Sequence, residues 1–385
     1  MDHARPDGSG PGAPSPAETS PAEAGAAEAS AAETSAGGEV AEPLHALFQR
    51  RVAGDDALLE LARLRFTQTG LAAELYADTP GELEHVLRFV PPHRHRPMVH
   101  LNRGINLLHE QSRATVAEFA GRFAGRVAGL VVHDQRDMGD QTGRLLAVLR
   151  ELNARLCELP DGPFVFLEYA AHLDPGWFVE VAEKLQDAER VSCCIDIGHL
   201  GNRQSSAHFA RRHPGLNLRD LTPGDARLPE LAAGVQDAVG RAVADVLDVS
   251  RAIGRLGKHL HFHLHDAHPL IPGLPDHFSF LLRLPVPFSY QGRRSLRMMY
   301  GPGGLAAVLA AAIEACGLPQ VSFTLEIHQV EGRLPLADAS PLFSHWQDTT
   351  NAERMNHWLS VLSENALLAS QSIAGLSPPA AAPGP

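Results

Sequence analysis

The chain has 385 residues and a formal net charge of −12 at pH 7, which disfavours a nucleic-acid partner because binding a polyanion requires an extended basic face. Its start lacks the basic and apolar regions of a signal peptide, and its apolar runs stay well short of the roughly 20 residues of a membrane span. We therefore expect a cytoplasmic protein with no membrane partner.

Two low-complexity segments flank the part of the chain that can fold. Residues 1–42 are mainly Ala, Pro, Ser, Gly and Glu, and residues 373–385 are similar. Such segments bury too little apolar surface to fold, so we predict two disordered tails. Residues 43–372 are then one domain, whose length is ordinary for an α/β barrel with insertions.

Strand and helix patterns alternate along this domain. The predicted strands, in chain order, are His45–Val52, Leu71–Asp78, Pro97–Asn102, Gly129–Gln135, Phe164–Ala170, Val191–Leu200, Leu260–His268 and Val321–His328. The predicted helices cover residues 55–66, 79–90, 112–125, 143–156, 174–187, 303–317 and 351–369. Eight strands alternating with helices indicate a parallel barrel or a doubly wound sheet.

Side-chain alternation favours the barrel. In Leu260–Asp266 (LHFHLHD) apolar residues alternate with His261, His263 and His265, and Val321–His328 (VSFTLEIH) alternates in the same way. One face of each strand is therefore polar, which suits a barrel with helices outside and a polar interior. A doubly wound sheet would bury apolar residues on both faces. The predicted fold class is α/β, a (β/α)8 TIM barrel.

Four predicted strands carry a metal-binding side chain near their carboxyl end: Glu168, Asp196, His263 and Glu326. The carboxyl ends of barrel strands meet at one face, where barrel active sites lie. Three carboxylates and one imidazole suit a divalent ion with octahedral or near-octahedral geometry and open positions for a substrate. The sequence therefore predicts a metal site at this face.

The segments LEYA, CIDIGH, HLHD, GPGGLAAVLAAAIEACG and FTLEIH follow one another over about Ala72–His328. In order and spacing the chain resembles the xylose-isomerase-like TIM barrels, which include sugar isomerases, ketose 3-epimerases and endonuclease-IV-type phosphodiesterases. In the epimerase-like members the matching residues bind one divalent metal, so the resemblance implies one Mn, Mg, Co or Zn ion on Glu168, Asp196, His263 and Glu326. It also implies that His199 touches the substrate or a further metal.

This chemistry predicts a metal-dependent isomerase or epimerase acting on a sugar-like polyol or hydroxy-ketone. An ion that chelates adjacent carbonyl and hydroxyl oxygens would stabilise an enediolate. Glu168 and Glu326, on widely separated strands, would remove and return the proton. His199 would stabilise the developing oxyanion.

A multi-metal phosphodiesterase of the endonuclease-IV type is the alternative. Members of that type place ligands for additional metals at positions that match His100 and His133, and Asp276 and His277 could supply more. The adjacent Asp276–His277 pair departs from the family pattern, in which one residue separates the two ligands. His100 and His133 could instead line the cavity of a small substrate. A barrel kept as a non-catalytic binding protein is the third interpretation.

Two long segments depart from compact family members. They are residues 203–257, whose second half predicts one long amphipathic helix, and residues 269–300, which are rich in Pro, Phe and Leu. Both follow ligand-bearing strands at the carboxyl-terminal face. We expect either a lid or homo-oligomer contact, or insertions that simply pack on the rim.

Overall fold

The computed structural model describes residues 44–49, 55–170, 172–221, 225–271, 276–282, 289–290, 293–294, 298–328 and 352–376. All of them belong to one compact unit, Glu42–Pro385. The predicted tail 1–42 lies outside the described residues. So do residues 377–385 of the other tail and much of the second insertion.

Eight parallel strands form a closed ring in sequence order. They are β1 Leu44–Leu47, β2 Ala72–Ala77, β3 Met98–Leu101, β4 Gly129–His133, β5 Phe164–Glu168, β6 Val191–Asp196, β7 Leu260–Leu264 and β8 Val321–Leu325. Each strand pairs with its neighbours in the chain, and β8 pairs with β1 to close the ring. The predicted (β/α)8 TIM barrel is therefore confirmed. A separate two-stranded ladder joins Ser289–Tyr290 to Arg293–Arg294.

Nine α-helices of the described residues accompany these strands: α1 Asp56–Thr69, α2 Pro80–Leu87, α3 Glu110–Arg122, α4 Thr142–Glu158, α5 Pro175–Lys184, α6 Ile197–Arg212, α7 Leu228–Gly254, α8 Gly301–Cys316 and α9 Ala352–Ala374. Aspartates begin three of them: Asp55 accepts the backbone N–H of Leu58, Asp174 that of Gly176, and Asp196 that of His199. Each cap satisfies one of the backbone donors left open at a helix start. Among the helices of the described residues, none has the length and apolar content to cross a membrane.

The strands turn apolar side chains toward the helices and polar ones into the lumen, as the alternation predicts. Phe262 and Phe323 are fully buried on the outer side of β7 and β8, with ring centroids 5.5 Å apart. Burying each ring contributes about 1.5–3 kcal/mol. His263 and Thr324 pair in register on the inner side. Part of the lumen is filled by an apolar cluster of Met98, Val131, Phe166 and Cys194.

The strand predicted over Val191–Leu200 is four residues too long. It ends at Asp196, and α6 begins at Ile197. The cause is the Asp196 side chain, whose Oδ1 accepts the backbone N–H of His199 at 2.7 Å and so caps the helix. His199 therefore lies in the first turn of a helix and not on a strand.

The first insertion belongs to the outer layer of helices. It consists of the rest of α6, a short turn and α7, and α7 packs against α5, α6 and α8. Ion pairs reinforce the contact of α6 with α7, with His208 Nε2 2.6 Å from Asp245 Oδ2 and Arg212 Nη1 3.0 Å from Asp237 Oδ2. The predicted long helix is confirmed, and it packs on the barrel flank instead of covering the strand ends.

The predicted closing helix is confirmed as α9, which runs to Ala374 and so past the start predicted for the carboxyl-terminal tail. It packs against α1, α8 and β1. Trp358 is buried there, and its Nε1 donates to the carbonyl oxygen of Ile327 at 2.6 Å. This helix therefore covers the seam at which the barrel closes.

Candidate metal centre

The four residues predicted to bind metal all lie at the carboxyl-terminal end of the barrel. Glu168 and Asp196 are the last residues of β5 and β6, His263 is in β7, and Glu326 follows β8 directly. Each is at most 3% exposed. Burying three carboxylates is costly unless each is paired, so their partners decide what this region can do.

The Glu168 carboxylate contacts three imidazoles. Its Oε2 lies 3.1 Å from His100 Nε2 and 3.0 Å from His133 Nε2, and its Oε1 lies 3.1 Å from His263 Nδ1. The Nε2 atoms of His100 and His133 are 3.2 Å apart. The two imidazoles that were candidates for a second metal therefore do converge on a predicted ligand.

The tautomer of His100 leaves a lone pair for this contact. Its Nδ1 lies 3.0 Å from the carbonyl oxygen of Leu101, which can only accept a hydrogen bond, so Nδ1 carries the proton. Burial lowers the pKa of His100, but the carboxylates Glu168 and Glu326 outweigh it and leave that pKa raised. His100 Nε2 is thus free to take a proton or a metal ion.

His263 lies between carboxylates on both sides of its ring. Its Nδ1 is 3.1 Å from Glu168 Oε1 and 3.1 Å from Glu326 Oε2, while its Nε2 is 3.1 Å from Glu74 Oε1. Burial lowers its pKa, yet the surrounding negative groups raise it well above 6.5 overall. Without a metal, His263 is therefore an imidazolium that neutralises these carboxylates.

Asp196 has a different imidazole partner from the one expected. His265 Nε2 lies 3.0 Å from both carboxylate oxygens of Asp196, whereas His263 faces the glutamates. The donor atoms of Asp196, His265, His277 and Glu326 lie within 4.8 Å of one another. His265 is therefore a donor that the sequence pattern did not single out, and Glu326 connects its group to that of His263.

The third group contains His199, Asp276 and His277. Asp276 Oδ2 is 3.2 Å from His199 Nδ1, and its Oδ1 is 2.9 Å from His277 Nδ1. In extended backbone two adjacent residues point to opposite sides. His277 has φ 63°, a left-handed conformation that turns both side chains toward the site. The adjacent pair therefore converges despite its departure from the family spacing.

Two further residues at the site were missed. The Tyr76 hydroxyl donates to Glu326 Oε1, and its ring stacks on His100 with centroids 4.6 Å apart. His328 Nε2 lies 3.3 Å from the same Glu326 oxygen, and its ring stacks on His277 at 4.2 Å. Tyr76 and His328 each lie on the inward face of a predicted strand. This position is the sequence feature from which they could have been predicted.

The donor chemistry fits divalent metal ions. In the described part of the chain, Glu168 Oε2 and Glu326 Oε2 are buried and make no hydrogen bond of good geometry, although imidazole atoms are near. Imidazole and carboxylate groups are ligands that Zn²⁺ and Mn²⁺ accept. Glu168 with His100 and His133 would hold one ion, Glu168 with His263 and Glu326 another, and His199 with Asp276 and His277 a third.

Cationic side chains stand near the mouth of the barrel. Burial lowers the pKa of His172, and the charges of His133, Arg136, His199 and Arg203 lower it further. Asp134 holds the loop that carries His172, since its two oxygens accept the backbone N–H groups of Ala170 and Leu173 at 3.1 and 3.2 Å. Several basic side chains therefore lie near His172 at the mouth of the barrel.

No protein-family model and no curated protein matches the chain. Among solved structures, the carboxyl transferase domain of pyruvate carboxylase from Rhizobium etli matches at 13% identity and TM-score 0.35, covering 89% of this chain and 49% of that one. The complete multifunctional enzyme matches at 12% identity and TM-score 0.34, covering 89% and 28%. The chain thus spans less than half the length of these structures, and likeness at this level says nothing about its function.

The metal-free chain is expected to lose stability as the pH rises from about 6.5 to about 9. Burial lowers the pKa of His277, but Glu326 and Asp276 raise it to about 9 overall. Burial also lowers the pKa of His199, and Asp196 and Asp276 raise it to about 10 overall. A histidine whose pKa is raised on folding stabilises the folded chain fully at a pH below its unfolded pKa of 6.5. This stabilisation disappears as the pH rises through the pKa that the histidine has in the folded chain. Urea unfolding in the presence of a chelator, at pH 6.5 and at pH 9.5, measures this loss of stability.

A saturating divalent ion is the control for this pH dependence. The ion displaces the imidazole protons, so the fall in stability between the two pH values becomes smaller or reverses. A metal-free chain that is more stable at pH 9.5 than at pH 6.5 would contradict the protonation states given to His199 and His277.

Proposed function

We propose that this chain is a xylose-isomerase-like barrel that holds more than one divalent ion and hydrolyses a phosphoester of a small molecule. The observation that carries the proposal is the position of Glu168. One of its oxygens faces His100 and His133, and the other faces His263. A carboxylate with imidazoles at both oxygens is suited to bridge two ions, as two-metal phosphoesterases require.

The second support is the independent group of His199, Asp276 and His277. Its donor atoms lie within 4.8 Å of one another, and the group adjoins Glu326 through His277 Nε2, 3.6 Å from Glu326 Oε1. A single-metal isomerase would use His199 near the oxyanion but gives Asp276 and His277 no necessary role. A site for a further ion accounts for the left-handed backbone at His277, which costs about 1–2 kcal/mol for a residue other than glycine.

Divalent ions in this position would polarise a phosphoryl oxygen and lower the pKa of a water molecule. The protein's own side chains would bind the phosphate and hold the metal ligands in place. Arg136 and Arg203 would attract and orient the phosphate at the mouth, and His172 could donate a hydrogen bond to it. Tyr76, whose hydroxyl donates to Glu326, would keep that carboxylate in place. The net negative charge of the chain disfavours a long polyanion and favours a small substrate.

An isomerase or epimerase of a sugar-like hydroxy-ketone is the second candidate. It is favoured by the position of Glu168 and Glu326, which both lie 3.1 Å from His263 Nδ1 and therefore flank one place in the lumen. One carboxylate could remove a proton beside a carbonyl while the other returns it, with His199 near the oxyanion. This reaction needs one ion per chain.

Metal stoichiometry distinguishes the two candidates. We expect two or three tightly held ions per chain in protein purified without chelator, and one ion fewer in His100→Ala, because His100 Nε2 lies 3.1 Å from Glu168 Oε2 and 3.2 Å from His133 Nε2. Elemental analysis of the dialysed protein gives the count. Hydrolysis of bis(4-nitrophenyl) phosphate by the loaded chain tests the reaction.

His85→Ala is the matched control, since His85 lies on α2 and contacts Asp56 far from the lumen. It should leave the metal content unchanged. One ion per chain that His100→Ala retains, together with solvent deuterium entering a ketose, would favour the isomerase. A chain that binds no divalent ion would favour the non-catalytic barrel.

A further inference from the structure

Glu74 is a buried carboxylate that none of the predicted site patterns contains. It is the third residue of β2, its side chain lies in the lumen, and it is 0% exposed. A lone carboxylate in such a place would cost several kcal/mol, so it is retained only with close partners. Those partners connect it to the candidate metal centre.

Three side chains from β7 and β8 contact Glu74. His261 Nε2 lies 3.1 Å from Oε2, and the Thr324 hydroxyl donates to the same oxygen at 2.5 Å. His263 Nε2 lies 3.1 Å from Oε1. Each Glu74 oxygen thus faces a different histidine of β7, and only His263 reaches the metal centre.

The contact fixes the role of each nitrogen of His263. Nε2 faces Glu74, so it carries a proton, and Nδ1 faces Glu168 and Glu326. A metal-binding histidine usually directs its second ring nitrogen to a carboxylate or carbonyl, which fixes the ring and raises its basicity. We propose that Glu74 is a positioning residue that holds His263 in the tautomer and orientation in which Nδ1 binds metal. The inference rests on the metal-binding part of the proposed function.

Glu74 is itself held by a chain of contacts that runs away from the metal centre. His261 Nδ1 lies 2.8 Å from the Ser322 hydroxyl, which is 3.2 Å from His259 Nε2. These residues orient His261 toward Glu74 from the side remote from His263. The carboxylate is therefore fixed on one side before any ion is present, which is what a positioning group needs.

The rival assignment makes Glu74 a metal ligand. The donor atoms of Glu74, His100 and His263 lie within 4.8 Å of one another, and so do those of Cys194, His261 and His263. A ligand and a positioning residue differ in what their removal changes. Loss of a ligand removes an ion, whereas loss of a positioning residue weakens an ion that still binds.

The test is titration of Co²⁺ into the metal-free full-length chain, followed by calorimetry and by visible absorption. For Glu74→Gln we expect the same number of ions, an affinity ~10- to 100-fold lower for one of them, and a shifted cobalt spectrum. Glu74→Asp keeps the charge and should lose less. Glu84→Gln makes the same chemical change at a surface carboxylate that pairs with Arg122 and Arg126, and it should bind like the unmodified chain.

Two results would overturn the inference. One is a Glu74→Gln chain with unmodified affinity and spectrum, and the other is the complete loss of one ion with the rest unchanged. Urea unfolding of the metal-free variants checks that each is folded. If Glu74→Gln does not fold, Glu74→Asp replaces it in the metal titration. An unmodified chain that binds no Co²⁺ would refute the metal centre itself, which is a distinguishable outcome.

Discussion

Glu168→Gln is expected to lower hydrolysis of bis(4-nitrophenyl) phosphate by about a thousandfold or more, because about 4 kcal/mol of charge stabilisation corresponds to that factor. The Glu168 carboxylate contacts His100, His133 and His263. The amide has nearly the same shape but no charge, so it cannot bridge two ions. The variant should therefore lose at least one ion per chain while remaining folded, as elemental analysis and circular dichroism would show.

The matched control is Glu84→Gln. Glu84 is a surface carboxylate whose partners are Arg122 and Arg126, far from the lumen. Loss of a surface ion pair changes stability by at most about 1 kcal/mol, so metal content and turnover should not change. A Glu168→Gln chain with its full metal content and unmodified turnover would rule out Glu168 as the central ligand.

Gly198→Ala is expected to destabilise the chain by about 1–3 kcal/mol, as overpacking of a buried site does. A methyl group at Gly198 would lie 2.0 Å from His265 Cε1 and 2.4 Å from its Nδ1. His265 has nowhere to move, since its ring stacks on His277 at 4.1 Å and its Nε2 contacts Asp196. Displacing it should also weaken metal binding, which titration with Co²⁺ measures beside urea unfolding.

Gly240→Ala provides the comparison within another helix. Gly240 lies in α7, and nothing stands within 4 Å of the place its methyl group would take. Replacing an exposed helical glycine with alanine should stabilise the chain by about 0.5–1 kcal/mol. If both substitutions had the same effect, the space behind His265 would not be the cause.

The strands could be predicted from the sequence because each alternates with period two. LHFHLHD and VSFTLEIH contain both the outward apolar face and the inward polar face, and neither depends on the rest of the chain. Glu168, Asp196, His263 and Glu326 could be found for the same reason, since each is the inward residue near a strand end. Local pattern and tertiary position agree at these places.

Other features depend on contacts across the barrel and leave no local pattern. Glu74 is an inward residue in the middle of a short strand, and only its approach to His261 and His263 distinguishes it. The early end of β6 follows from the cap that Asp196 forms, whereas IGHL alone reads as strand. The side chains of Asp276 and His277 reach the same site because His277 has a positive φ, and no sequence pattern predicts that backbone conformation.

The seam between β1 and β8 affects how the chain can fold during synthesis. Leu44 pairs with Phe323, so the ring closes between residues at nearly opposite ends of the domain. While the ribosome is still making the carboxyl-terminal part, the earlier strands can form only an open sheet with two unpaired edges. Such edges readily pair with other chains. These edges therefore stay unpaired in the nascent chain until β8 and then α9 emerge to close and cover the seam.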